Sequence, residues 1–223
     1  ARDAAISAAK AELAAAEQEW AEARFDRGDK VGALESYRAA LALRRRLSEQ
    51  DPSSAMRRSA LADVAHSTGF TQIELGDIAG ARVTLEEAVQ IRRALADADP
   101  RNAGWQSGLA TVQMRLGEVL VAQGNPKGGL DLYRTSLGIL GKLGRSDPTN
   151  ARWQRQRAEA LWRVASVGPA AGSVAQRVGW LREGQQVLME LDRNRDPQPR
   201  NTAFYRRKIN ETLAEIQGQR VIQ

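Results

Sequence analysis

Apolar residues recur every three or four positions along nearly the whole chain, and the runs stop at Gly-Asp, Gly-Asn or Asp-Pro pairs. Between Asp99 and Gly144, Leu109, Val112, Leu116, Val119 and Leu120 share one helical face. Leu130, Tyr133, Leu137, Leu140 and Leu143 share another. Gly124-Asn125-Pro126 separates the two runs. Gly and Asn tolerate left-handed backbone, and Pro suits the first turn of a new helix, where its missing N–H has no partner to lose. The pattern predicts two helices joined by a tight turn, with Asp147-Pro148 closing that hairpin and opening the next.

The same pattern returns along the chain. Asp-Pro pairs stand at 51-52, 99-100, 147-148 and 196-197. Gly28-Asp29, Gly76-Asp77 and Gly124-Asn125 keep the same interval, a period of about 48 residues. Tyr37, Leu85, Tyr133 and Leu181 form one aligned column, and Leu47, Leu95, Leu143 and Leu191 a second. Ala33, Ala81 and Gly129 supply a small residue where helices approach closely; Leu61 aligns with Leu109, and Trp105 with Trp153. A repeat of about 20 to 50 residues marks a solenoid, because one hairpin cannot bury both its apolar faces alone. The expected units are residues 1–50, 51–98, 99–146 and 147–195 of a single solenoid spanning 1–223. Residues 196–223 would add a last helix that caps the stack or begins a truncated repeat.

These residues resemble the tetratricopeptide repeat, or TPR, family. That motif has Leu-Gly in its first helix, Gly followed by Asp or Asn seven residues later, then small, aromatic and small positions in its second helix. Leu116-Gly117, Gly124-Asn125, Gly129, Tyr133 and Ser136 match in that order. Gly69, Gly76-Asp77, Ala81, Leu85 and Ala88 match in the preceding unit, and Gly28-Asp29, Ala33, Tyr37 and Ala40 in the first. The period exceeds the usual length of about 34, so both helices should be longer. In the fourth unit Arg177 takes the small position. The resemblance implies an all-α, right-handed superhelical solenoid of antiparallel hairpins. It is similar to long-helix repeats beside signalling or peptidase-like domains of large bacterial proteins.

In chain order, a helix is expected over about 3–27, with Ile6, Leu13, Trp20 and Phe25 as its apolar positions. Another spans about 30–49, with Val31, Leu34, Tyr37, Leu41 and Leu47 inward. Arg44-Arg45-Arg46 either complements the dipole near that helix's C-terminus or touches a partner. Trp105 and Trp153 either pack at each junction or stay exposed as contacts. Gly168-Pro169-Ala170-Ala171-Gly172-Ser173 lacks a preceding strand and a Gly-Lys-Ser/Thr ending, so it reads as a wide interhelical loop and not a phosphate loop. Helices over about 174–194 and 202–218 follow, the second carrying Phe204, Ile209, Leu213 and Ile216, with a break at Asp196-Pro197-Gln198-Pro199.

Composition narrows the function. The net charge is +6, unevenly spread: residues 1–98 are slightly acidic, and 99–223 carry the positive excess. There is no cysteine, so thiol chemistry is excluded. No apolar run reaches the roughly 18 residues of a membrane span, and the acidic first helix lacks a signal-peptide core. The expected compartment is the cytoplasm. The chain starts at Ala, which suggests a domain excised from a larger protein. The only histidine, His66, has no metal or triad companion; no metal-ligand spacing, paired carboxylates or nucleophile elbow stands out. No catalysis and no cofactor are expected.

The resemblance implies that first helices line a groove taking a peptide or helix of a partner or of an adjacent domain. Gln18, Glu22, Phe25, His66, Phe70, Ile73, Glu74, Met114, Glu118, Val121, Trp162 and Ser166 match its groove-facing positions. Glu211 and Glu215 would continue the row. Phe70, Met114 and Trp162 either anchor a partner or seal the junctions between units. His66, Glu118 and Arg163 complete the expected contact set. Arg155, Arg163, Arg206, Arg207 and Lys208 either meet carboxylates or phosphates or are solvated surface. Two alternatives stay open. One is a nucleic-acid-binding repeat using the basic half, though Glu159, Glu183, Glu190 and Asp192 interrupt its charge. The other is a regulatory module of a larger enzyme whose catalytic domain lies elsewhere. Self-association through exposed solenoid ends is a further expectation.

Overall fold

The computed structural model describes residues 2–193 and 198–218. Among these residues the chain is all-α, with nine α-helices in order: α1 Arg2–Asp26, α2 Lys30–Gln50, α3 Ala55–Glu74, α4 Ile78–Ala98, α5 Ala103–Ala122, α6 Pro126–Ser146, α7 Ala151–Ser166, α8 Val174–Arg193 and α9 Pro199–Gly218. The expected Asp196-Pro197 break lies outside the described residues.

One turn is built three times. Gly28, Gly76 and Gly124 adopt φ of 87°, 79° and 79°, where a Cβ would strain the backbone. The next residue then caps the following helix. Asp29 accepts from the Gly32 N–H at 2.9 Å, Asp77 from Gly80 at 2.9 Å and Asn125 from Gly128 at 3.0 Å. Each turn brings two long helices back against one another as an antiparallel pair.

The chain divides into two compact units, ending at Trp105 and beginning at Gln106. In the first, α1 packs on α2, α2 on α3 and α3 on α4. Its core holds Leu34, Tyr37, Leu41, Leu47, Leu61, Val64, Leu85 and Leu95. Gly69 lies against Leu85, leaving no space for a side chain. In the second unit, α6 packs on α7, α7 on α8, and α9 on both α7 and α8. A Cβ on Gly117 would lie 2.6 Å from the Tyr133 ring, and one on Gly129 would lie 2.7 Å from the Gly117 carbonyl oxygen. The Ser136 hydroxyl donates to the Ala110 carbonyl at 3.0 Å, so the small positions of α5 and α6 let the two backbones meet.

The first aligned column is a core column, and the second is buried except at Leu143, which is half-buried. Tyr37, Leu85, Tyr133 and Leu181 are all buried. The fourth hairpin departs from the shared turn. Gly168–Ala171 forms a 3-10 turn, and Ser173 and Gln176 cap α8 reciprocally: Gln176 N–H donates to Ser173 Oγ at 3.2 Å and Ser173 N–H to Gln176 Oε1 at 2.9 Å. Arg177, at the position other units give to a small residue, is buried and donates its Nε–H to the Ala165 carbonyl at 2.8 Å. A hydrogen bond to the neighbouring backbone thus replaces close approach.

Several apolar positions point outward, among them Val31 of the expected inner face of α2. Ile6, Leu13, Trp20 and Val31 are 44, 52, 64 and 62% exposed, and Phe204 is 43% exposed. On α1 the side that packs uses small residues instead, Ala14 and Ala21. Arg44, Arg45 and Arg46 stand before the last turn of α2, which carries no basic residue, so a dipole role at the C-terminus does not apply. Arg45 instead forms an ion pair with Glu87 of α4.

Candidate partner-binding site

The groove-facing positions expected from the sequence fall into columns at the repeat interval on successive first helices. His66, Met114 and Trp162 make one column; Phe70, Glu118 and Ser166 make the other. Because these columns are four positions apart, they share a helix face.

In the first unit, Phe70 and His66 lie half-buried one turn apart on α3. The Phe70 ring centroid is 5.5 Å from that of Phe25 on α1, with the rings tilted at 42°. Lys30 Nζ stands 6.0 Å from the Phe25 centroid and pairs with Glu74 at 2.8 Å. Lys30 and Glu74 flank this aromatic pair with opposite charges.

In the second unit, α5, α7 and α9 enclose a buried charge network. Glu159 of α7 accepts from Arg163 Nε at 2.8 Å and from the Tyr205 hydroxyl of α9 at 2.6 Å, and Arg115 Nη2 of α5 stands 3.5 Å from it. Glu118 Oε2 receives Arg115 Nη1 and Arg163 Nη2, each at 3.1 Å. The side chains of Glu159 and Arg163 are 6 and 8% exposed, while Glu118 remains 36% exposed at the rim.

Electrostatics keep Glu159 and Arg163 ionised. Burial pushes the Glu159 carboxyl up, but Arg163 and Arg115, with the hydrogen bonds from Tyr205 and Arg163, outweigh it and hold the group below the usual carboxylate range. Burial also opposes charge on Arg163, yet Glu159 and Glu118 raise its pKa overall. The Tyr205 phenol is pushed up, first by burial and then by the charge of Glu159. Two carboxylates thus face two guanidiniums in a closed, neutralised set.

Trp162 lies beside this set, its Nε1–H donating to Thr212 Oγ1 of α9 at 3.1 Å. The Arg163 guanidinium carbon stands 5.4 Å from the Trp162 ring and 5.8 Å from the Tyr133 ring, within cation–π range of both. Val121, Tyr133, Trp162, Arg163, Ser166 and Val167 line a depression of about 130 Å³. Ser166 is exposed at its edge.

The expected contact residues therefore occupy different environments. Phe70 and His66 are half-buried, Glu118 sits at the rim and Trp162 walls the depression, half-buried. Arg163 forms part of the floor. Met114 is 1% exposed and packs with Leu130, Tyr133, Leu140 and Val164, so its side chain holds α5 to α6 and α7. Sequence reasoning missed Glu159, Arg115 and Tyr205. One signal was available: Arg115 and Arg163 stand one repeat apart, at equivalent positions of successive first helices.

Other C-terminal cations are also engaged by carboxylates. Arg157 pairs with Glu183, Arg206 with Asp192, and Arg207 and Lys208 with Glu211. Among the described residues, no group of three or more His, Cys, Asp or Glu is placed to hold a metal ion, and no helix is long and apolar enough to cross a membrane.

No protein-family profile matches the chain, and no curated protein matches it. Solved structures do. A Podosopora anserina chain, named for kinesin light chain and its nearly identical TPR-like repeats, is 18% identical with a TM-score of 0.59, covering 95% of this chain and 89% of that one. BtubC (BKLC) from P. vanneervenii is 14% identical with a TM-score of 0.57, covering 96% of this chain and 82% of that one. These likenesses are of fold: the chain has the TPR-like architecture of stacked antiparallel helix hairpins.

Proposed function

We propose that this chain is a non-catalytic protein-interaction module. Its first-helix faces take a segment of a partner protein, in trans or from an adjacent domain, and the depression beside Trp162 receives one apolar side chain of that segment. The observation that carries this reading is the ready-made hollow itself. Aromatic and aliphatic walls stand over a floor whose charges already have partners, so an incoming apolar group leaves no ion unpaired. Small apolar pockets with a few fixed polar groups are where partners are commonly anchored. Glu118, at the rim, offers a carboxylate oxygen to a backbone N–H or a cation of the segment. The engagement of Arg157, Arg206, Arg207 and Lys208 by carboxylates favours a protein over a nucleic acid, which calls for concentrated cations aimed outward.

A photo-crosslinking residue placed at Ser166 tests this in native lysate, with the same residue at exposed Arg182 of α8 as control. A discrete protein adduct formed from position 166 and not from 182 is the expected outcome. The same adduct should form from a crosslinker at Glu118 and be lost there when Ser166→Trp fills the hollow. Adducts of equal yield from positions 166 and 182 would sink the assignment. Adducts dominated by nucleic acid would replace it with the polynucleotide reading.

A further inference from the structure

The helix α1 is apolar on two opposite sides. Its packed side uses Ala14 and Ala21, which are fully buried. Facing the other way, Ile6, Ala9, Leu13, Ala16, Trp20 and Ala23 follow one another at alternating spacings of three and four, and all six are exposed. That is an a/d heptad seam sustained from Ile6 to Ala23. The large residues take every a position and alanine every d position, so a second helix can approach closely. A solvated helix face ordinarily reads polar, and this one does not.

The edges of the seam carry charge. On one side, Glu12, Glu19 and Asp26 recur at the heptad interval and are all exposed. Among the described residues none of the three has an ion-pair partner. The other edge is mixed, with Lys10, Glu17 and Arg24. Residues flanking a heptad seam select the partner helix by charge. Pairing α1 antiparallel with a second copy of itself would set acidic edge against acidic edge. Parallel pairing would match Glu19 with Arg24 but oppose Glu12 to Glu17. Neither arrangement supplies a basic row.

We infer that the outward face of α1 is a docking site for an amphipathic helix of another protein, seated in coiled-coil geometry, with a Lys- or Arg-rich edge against Glu12, Glu19 and Asp26. The site is independent of the Trp162 hollow and stands or falls separately from it.

The test uses the full chain and a fluorescein-labelled synthetic helix of about three heptads. Its seam carries Leu and Ala, and its flanks carry Lys; a twin carries Glu there instead. Fluorescence anisotropy should show the basic helix binding and its acidic twin not. Binding should weaken about tenfold between low salt and about 0.5 M salt. Leu13→Glu with Trp20→Glu should abolish it. Both positions are exposed, and circular dichroism should show the helix content unchanged. Glu12→Lys with Glu19→Lys should shift preference to the acidic twin, and Ser166→Trp should leave binding as it was. Equal binding of both helices, or of neither, overturns the inference. Dimerisation of the chain through Trp20, seen by sedimentation equilibrium, overturns it in favour of a second copy.

Discussion

Removing the Glu159 carboxylate tests the central structural argument about the second unit. In Glu159→Leu the volume is roughly kept, but Arg163, 8% exposed, loses its closest anion and Tyr205 loses its acceptor. Arg163 keeps only Glu118, itself 36% exposed and shared with Arg115. Breaking one side of a buried pair costs about 3–5 kcal/mol, because a desolvated charge is left behind. With a urea slope of about 2 kcal/mol/M, the unfolding midpoint should fall by about 2 M. Glu159→Leu combined with Arg163→Met removes both charges and should recover most of that loss. The assay is urea unfolding followed by far-UV circular dichroism and tryptophan fluorescence, compared where both probes coincide, since repeat arrays can unfold in parts. If the double variant loses the sum of the two single losses, the side chains act independently and the network argument fails. Acid gives a second reading. The Glu159 carboxyl is held below its ordinary value in the folded chain. Its contribution is therefore complete above the unfolded pKa and declines as pH falls through the folded one. Wild type should lose more stability on acidification than Glu159→Gln, in which that group no longer titrates.

Three further outcomes follow from local geometry. Gly138 in α6 and Gly179 in α8 are exposed, and a Cβ at either would touch nothing within 4 Å; replacing each by Ala should raise stability by about 1 kcal/mol, read as a higher urea midpoint. Gly117→Ala should instead cost about 1–3 kcal/mol, because its Cβ would sit 2.6 Å from the Tyr133 ring, and a neutral result would show that α5 and α6 can part without penalty. Asp77→Ala should cost about 1 kcal/mol through loss of the α4 cap. The Asp77 carboxyl is held low by the Gly80 N–H first and then by Gln72. That cap should weaken as pH falls through its depressed pKa, and protection of the Gly80 amide, its exchange relative to the intrinsic rate at each pH, should fall accordingly.

Much of the architecture was legible because it rests on short-range rules. A Gly able to adopt positive φ, followed by Asp or Asn able to cap, ends one helix and begins the next; the three such pairs mark three of the observed turns. The columns at Tyr37, Leu85, Tyr133 and Leu181 announced themselves by repetition and proved buried. The face of α1 was harder to read. Helical spacing marks Ile6, Leu13 and Trp20 as a stripe but does not say which side the neighbour takes, and here alanines packed while the larger residues faced water. Met114 shows the same limit, since a column position that is half-buried in Trp162 is sealed in Met114 by its own neighbours. The Glu159 network was hidden for another reason. Its members come from α5, α7 and α9, and each charge alone resembles ordinary surface until the helices bring them together. Arg177 reads as a misfit to the repeat because its compensation, a backbone carbonyl of α7, leaves no trace in composition.

The closed pairing of Glu159, Arg163, Arg115 and Glu118 also bears on how quickly a partner arrives. Four charges that cancel at short range add little field in solvent, so this set does not itself draw an oppositely charged ligand from a distance. From it, encounters with the Trp162 hollow gain no steering over the rate of about 10⁵–10⁶ M⁻¹s⁻¹ of a neutral site. Discrimination among candidate segments would then reside in dwell time. A good fit leaves slowly, whereas a poor one arrives just as often and departs at once.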